Sequence, residues 1–290
     1  MPCRKPFYVK EYKANIPCGI CAECFKRKVS QWQFRLMQED KHADSSQFIT
    51  LTYNVASCPI TEDGRKTILK KHVSQFIKKL RACQRRRETK HFRKLKVPMS
   101  RRSYSRIKFY GVGEYGGKTR RPHYHVILFN ADASLIDQSW DNGTVHHGEV
   151  SGASVGYTLK YISKRSRIGR NSNDTRNPTF SLQSKGLGLS YLTPAMIQWH
   201  KADLQNRMYC TISGGRKVAM PRYYKLRIYS ELEKQALADK FLLEKLEELY
   251  QQAIEDYQDN DPVKHQRARH QDHLAANRRM KLQSSLNEKL

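Results

Sequence analysis

Pro122-His123-Tyr124-His125-Val126-Ile127-Leu128-Phe129 is the stretch on which the reading of this chain turns. Its β-branched and aromatic content reads as a β-strand. Side chains alternate faces along a strand, so His123 and His125 point one way and Tyr124 the other. Two imidazoles one strand repeat apart can share a divalent metal ion. The apolar run from Val126 to Phe129 predicts that the strand then enters a core. Taken alone, a His-x-His pair is more often an ordinary half-buried strand than a metal site, so its neighbours decide.

Arg106 to Val112 reads as the preceding strand, and Gly113-Glu114-Tyr115-Gly116-Gly117 leads from it into a basic turn with Lys118, Arg120 and Arg121. So short a connection makes an antiparallel hairpin. The hairpin brings Glu114 towards His123. Two imidazoles and one carboxylate leave open positions on a metal, where a phosphate oxygen can bind. A further strand covers Gln47 to Tyr53. Tyr53, Tyr115 and Tyr124 read as packing residues before base-stacking platforms.

Basic helices are expected over 25–42, with Phe25, Val29, Trp32 and Leu36 as the apolar stripe, and over 68–87, with Leu69, Val73, Phe76, Ile77 and Leu80. Residues 88–105 read as a basic loop or frayed helix end broken by Pro98. Thr144 to Val150 reads as a short strand, 151–165 as a helix and 166–180 as a polar loop. Thr193-Pro194 starts a helix to residue 206. Ser230-Glu231-Leu232-Glu233 is a capping box. It opens a helix to residue 257 with Leu232, Ala236, Leu243, Leu246, Tyr250 and Ile254 among its apolar positions. Residues 261–290 are polar.

The helix at 151–165 carries Gly156-Tyr157-Thr158-Leu159-Lys160-Tyr161-Ile162-Ser163-Lys164. At i, i+4 spacing Tyr157 and Tyr161 share a face, and Lys160 and Lys164 repeat the pattern. A phenol has a pKa of about 10 and is a weak nucleophile at neutral pH. A nearby ammonium or metal stabilises the phenolate. By itself this segment equally describes two packed tyrosines beside solvated lysines.

The 290 residues include 54 Lys plus Arg against 27 Asp plus Glu, a net charge of +27. That excess implies a polyanionic partner, with nucleic acid the usual one. Lys78, Lys79 and Arg81 on the second basic helix, and Lys118, Arg120 and Arg121 on the hairpin turn, are candidate phosphate contacts. No apolar run approaches the ~18 residues of a membrane span, and Met1-Pro2-Cys3-Arg4-Lys5 carries no signal core. Use in a cytoplasm is the expectation. Seven cysteines in such a chain argue against a disulfide framework. Cys3, Cys18, Cys21 and Cys24 could form a structural Zn²⁺ site. The two C-x2-C spacings share Cys21, however, unlike the two separate knuckles of a zinc ribbon.

Taken together, these motifs resemble the HUH endonucleases, specifically the rolling-circle replication initiators of microviruses of the gokushovirus branch. The resemblance rests on Phe48-Ile49-Thr50-Leu51-Thr52-Tyr53, then Gly113-Glu114-Tyr115-Gly116 with Arg121-Pro122-His123-Tyr124-His125, then Tyr157 to Lys164. Pro17 to Cys24 and Ser184 to Leu192 add to it, and it covers residues 1–200. It implies an α+β HUH endonuclease fold, a central antiparallel sheet flanked by helices. It implies Mg²⁺ or Mn²⁺ on His123, His125 and Glu114. It further implies tyrosine attack at a phage origin, a 5′-phosphotyrosine intermediate, and rejoining of the displaced strand with the help of the second tyrosine. Single-stranded origin DNA would be the substrate, host helicase and polymerase the partners, and the host bacterial cytoplasm the location.

The expected organisation is a Cys-rich segment and basic helix over 1–45, an endonuclease core over 46–205, and a helical extension with a polar tail over 206–290. Two rival readings stand beside it. A non-catalytic, zinc-containing DNA-binding or packaging protein explains the charge and the cysteines but neither the His-x-His pair nor the paired tyrosines. An HUH relaxase or transposase fits less well, since relaxases carry three histidines and an N-terminal tyrosine, and single-tyrosine transposases lack the second tyrosine.

Overall fold

Val126, Ile127, Leu128 and Phe129 are all fully buried, which requires cover on both faces of their strand. The computed structural model supplies it. Residues 3–10, 14–117, 119–150, 155–156, 158–159, 168, 173–258, 263, 266–268, 270–271 and 274–275 are described. Their strands are β1 (Phe7–Val9), β2 (Ala14–Ile16), β3 (Ser46–Tyr53), β4 (Lys108–Tyr115), β5 (Pro122–Phe129), β6 (Gly143–Gly148), β7 (Phe180–Gln183), β8 (Tyr209–Thr211) and β9 (Lys217–Ala219). The longer helices are α1 (Ala22–Asp40), α2 (Lys70–Lys94), α3 (Pro194–Ala202), α4 (Arg222–Ile228) and α5 (Glu231–Gln258).

A five-stranded sheet in the order β6-β3-β5-β4-β7 forms the centre, and every pairing in it is antiparallel. The protein is therefore α+β, with β5 as the middle strand. Alternation divides its residues. Tyr124, Val126 and Leu128 pack with Val73, Phe76, Ile77 and Leu80 of α2. Ile127 and Phe129, on the face of the two histidines, pack with Tyr110, Val112, Val29, Trp32 and Leu36, the last three from α1. Val155 and Leu159 join the same cluster. Each helix buries the stripe its spacing dictates, so the sheet is covered on both sides.

Several boundaries differ from the sequence expectation. Helix α2 continues past Arg87 to Lys94, because residues 88–94 contain no breaker and Gln84 Nε2 donates to Glu88 Oε1 at 3.3 Å, one turn on. His91, Arg93 and Lys94 suit its negative end. It stops where Lys96 turns left-handed at φ 55° and the Lys96 and Val97 amides return to the Arg93 and Phe92 carbonyls. Strand β4 extends to Tyr115, so Glu114 lies within the ladder rather than in the connection. Polar residues 166–180 end in β7, a four-residue edge strand too short to stand out by pattern. The short pairs β1–β2 and β8–β9 were likewise not expected.

Other expectations hold. Ser230 and Glu233 close the capping box, with the Ser230 amide donating to Glu233 Oε2 at 2.6 Å and the Glu233 amide to Ser230 Oγ at 3.2 Å. Tyr53, Tyr115 and Tyr124 are buried packing residues. The described residues fall into two compact units. One is drawn from 1–26, 194–209 and 222–290, the other from 27–193 and 210–221 and containing the five-stranded sheet. In the helix α5, Leu232, Leu243, Leu246 and Tyr250 are exposed.

Gly143 lets β6 approach β3: a Cβ there would lie 2.1 Å from the Thr52 carbonyl oxygen and 2.6 Å from the Asn54 nitrogen. Gly143→Ala is expected to cost about 1–3 kcal/mol by forcing that edge apart. Urea denaturation should show a lower midpoint at unchanged slope.

Candidate metal centre and nucleic-acid interface

The β4–β5 register sets Glu114 directly opposite His123 and Val112 opposite His125. The β3–β5 register sets Thr50 opposite His125. Directly opposed residues share a face, so Glu114, His123, His125 and Thr50 all project from the α1 side of the sheet. His123 Nε2 lies 2.7 Å and His125 Nε2 3.1 Å from the same carboxylate oxygen, Glu114 Oε1. The two rings meet edge to face with centroids 4.9 Å apart. Phe48 stacks on His125 at 5.7 Å.

The other ring nitrogens are fixed from behind. His123 Nδ1 donates to the Arg121 carbonyl at 3.0 Å, and His125 Nδ1 lies 3.0 Å from Thr50 Oγ1. Both Nε2 atoms are thereby aimed at one point. This is how metal-binding histidines are oriented, with the far nitrogen held by an acceptor. A hydroxyl donates or accepts, so Thr50 serves His125 in either tautomer. Sequence reading missed Thr50, since only the strand register places it beside His125.

Burial would raise the Glu114 carboxyl, but hydrogen bonds and charge from His123 and His125 outweigh it and hold it below the ordinary carboxylate value. Burial would lower His123, yet its bonds to Glu114 and the Arg121 carbonyl raise it above the usual histidine value. Both of its nitrogens face acceptors, which is the pattern of an imidazolium. Burial lowers His125, with the neighbouring His123 adding to the effect and Glu114 offsetting part of it. A buried carboxylate shared by two imidazoles is a donor set suited to a divalent ion. The ligand atoms of all three lie within 4.8 Å of one another.

Residues 46–166 match the family model "Replication-associated protein ORF2/G2P". That span holds β3, the three candidate metal ligands and the paired tyrosines. Three curated relatives extend the likeness. Replication-associated protein ORF2 of Spiroplasma virus 4 is 27% identical over 84% of this chain and 78% of its own length. Replication-associated protein VP4 of Bdellovibrio phage phiMH2K is 24% identical over 72% and 65% respectively. Replication-associated protein ORF4 of Chlamydia phage 1 is 23% identical over 75% and 54%.

The chain is similar to the phage replication-associated proteins. The resemblance read from its motifs is borne out. No solved structure matches it.

The remaining candidate residues are distributed unevenly. Tyr157, Lys160, Tyr161, Lys164 and Lys118 lie outside the described residues. Gly156 and Thr158, on either side of Tyr157, are helical, and Val155 and Leu159 are fully buried in the cluster on the histidine face. Arg120 is exposed in the turn that joins the strand ends bearing Glu114 and His123. Arg121 donates its guanidinium to the Tyr53 carbonyl, tying that turn to β3.

The α2 candidates stand on the opposite side of the sheet from the histidines. Lys78 is exposed, while Lys79 pairs with Asp141. Arg81 donates to the Ile107 carbonyl at 2.8 Å and to Ser184 Oγ at 3.3 Å, with its guanidinium 5.9 Å from the Phe109 ring centre. Arg81 and Arg121 thus bind backbone carbonyls as well as offering charge. Cys3, Cys18, Cys21 and Cys24 come together in a second group of candidate metal ligands, all four sulfurs within 4.8 Å of one another.

Among the described residues, no helix is long and apolar enough to cross a membrane.

Two variants should separate ligation from orientation. His123→Ala is expected to abolish Mn²⁺ binding at this site in calorimetric titration. Thr50→Val removes only the partner of His125 and should weaken that binding about 10- to 100-fold, with the far-ultraviolet dichroism of both variants unchanged.

Proposed function

We propose that this chain is a replication-initiation endonuclease of a single-stranded DNA phage, with the sheet serving as an HUH endonuclease fold over residues 46–205. The observation that carries the reading is the convergence of Glu114, His123 and His125 on one point, within the same matched span as Tyr157 and Tyr161. Val155 and Leu159 support it, since they pack on the histidine face beside Tyr110, Val112 and Ile127.

The donor set fits Mg²⁺ or Mn²⁺, which when bound would polarise a non-bridging oxygen of the scissile phosphate. His123, His125 and Glu114 would hold that ion, and Thr50 and the Arg121 carbonyl fix the two rings. Tyr157 or Tyr161 attacks phosphorus through its phenolate oxygen, with Lys160 or Lys164 stabilising the phenolate. The new bond joins phosphorus to the tyrosine oxygen. The bond that breaks joins phosphorus to the 3′ oxygen, which leaves and takes up a proton to become a free 3′-OH. One phosphodiester is exchanged for another, so the linkage is conserved and can be reversed. The 3′-OH primes synthesis by the host polymerase behind a host helicase, in the bacterial cytoplasm. Attack by the second tyrosine on the regenerated origin then lets the displaced strand be rejoined. The exposed Lys78 and Arg120 contribute phosphate contacts, one on each side of the assembly described above.

Incubation of a labelled single-stranded origin oligonucleotide with the protein and Mn²⁺ should give a protein–DNA adduct that survives denaturation. Tyr157→Phe and Tyr161→Phe singly should retain adduct, and the double variant should lose it. An adduct from the double variant would remove these tyrosines from the mechanism. No adduct from the wild type with any divalent metal would remove the nuclease reading itself. Separately, Lys78→Glu should weaken non-specific DNA binding across sequences and reduce the slope of log affinity against log salt by about 1.

A further inference from the structure

The residues before α1 have little to hold them together. β1 and β2 are three residues each, Phe7, Tyr8 and Ile20 are exposed, and Cys24 is the sole buried apolar residue described among 3–24. An isolated two-stranded hairpin is at best marginally stable in water. Segments this small are ordinarily held by a disulfide or a metal. The four cysteines sit where such a staple would act. Cys3 precedes the hairpin, Cys18 follows it, Cys21 directly precedes α1 and Cys24 lies in its first turn.

Their geometry separates the two kinds of staple. Cys3 Sγ and Cys21 Sγ are 3.9 Å apart, and all four cysteines are free. A tetrahedral ion with Zn–S bonds of about 2.3 Å sets its sulfurs about 3.8 Å apart. An iron–sulfur cluster interposes several atoms between its cysteines and would spread them further than the 4.8 Å that encloses these four. The backbone is also arranged for thiolates. The Cys18 amide donates to Cys3 Sγ at 3.2 Å, and the Ile20 and Cys21 amides donate to Cys18 Sγ at 3.5 and 3.3 Å. Such donors offset the excess negative charge of four thiolates on a divalent ion. Gly19, left-handed at φ 69°, allows the turn that presents them.

We propose that Cys3, Cys18, Cys21 and Cys24 bind one structural Zn²⁺, which pins the β1–β2 hairpin to the start of α1. The overlapping C-x2-C spacings are resolved by the fold. Cys18 and Cys21 supply two ligands from the segment before α1, Cys24 a third from its first turn, and Cys3 closes the tetrahedron from across the hairpin. The four positions are filled by protein, so this ion is structural and takes no part in chemistry. The inference is independent of the nicking reaction.

The test is metal analysis of the full-length protein, purified without chelator. About one zinc per chain is expected. It should persist in the His123→Ala/His125→Ala double variant and be lost in Cys18→Ser/Cys21→Ser. Replacement by Co²⁺ should give the thiolate charge-transfer absorption of a tetrahedral site, and chelation should open residues 3–24 to limited proteolysis. If the cysteine variant does not fold, titration of wild-type thiols with a mercurial decides. Zinc released in step with modification supports the site, and zinc retained overturns it. A protein without zinc, one with iron instead, or zinc that leaves with the two histidines also overturns it.

Discussion

One carboxylate oxygen shared by two imidazoles organises this protein. Glu114 is buried, and a buried carboxylate is costly unless its charge is met by donors. Those donors come from a neighbouring strand, so they are in place only when β4 and β5 hold their register. A slip of one residue would turn the histidines to the α2 side and leave the carboxylate facing hydrocarbon. The antiparallel pairing of Glu114 with His123 is therefore a folding constraint that also sets the geometry of the candidate site. Thr50 extends the constraint to β3, and the Arg121 carbonyl extends it to the turn.

The sheet separates labour between its faces. On the α1 side it carries Glu114, His123 and His125 beside an apolar patch of Tyr110, Val112 and Ile127, where Val155 and Leu159 seat. On the α2 side it carries the larger apolar cluster, with Tyr53, Tyr124 and Trp140 interlocked edge to face or tilted. The Tyr53 hydroxyl reaches His72 Nδ1 at 2.7 Å, and Tyr124 takes the Leu69 amide at 2.8 Å, which fixes the start of α2 in the absence of a side-chain cap. Basic residues of α2 thus lie on the opposite side of the sheet from Glu114, His123 and His125. A nucleic acid that met both surfaces would have to pass around the edge of the sheet.

The site was largely legible because alternation along a strand is a strict rule. His123, Tyr124 and His125 could be assigned to faces from order alone, and a short basic turn located Glu114 near them. Thr50 was not legible, since nothing in Phe48-Ile49-Thr50-Leu51 says which neighbour it meets. Residues 88–94 read equally as loop or frayed helix end because they carry no clear apolar stripe, yet straight-chain residues are good helix formers and α2 continues through them to Lys94. The pattern of α5 shows the opposite limit. Leu232, Leu243 and Leu246 recur along a helix, but recurrence does not say what covers them, and in this structure they are exposed.

By itself, the sequence determined the net charge of +27, the face shared by the two histidines, the hairpin beside them, and the capping box that starts α5. These follow from composition and from contacts only a few residues apart. Tertiary structure alone decided the strand order β6-β3-β5-β4-β7, the pairing of Thr50 with His125, and the meeting of Cys3 with three cysteines 15 or more residues away. Each depends on closing a loop between distant segments. Pattern rules carry no term for that closure, which is settled by packing and by the pairing of buried polar groups.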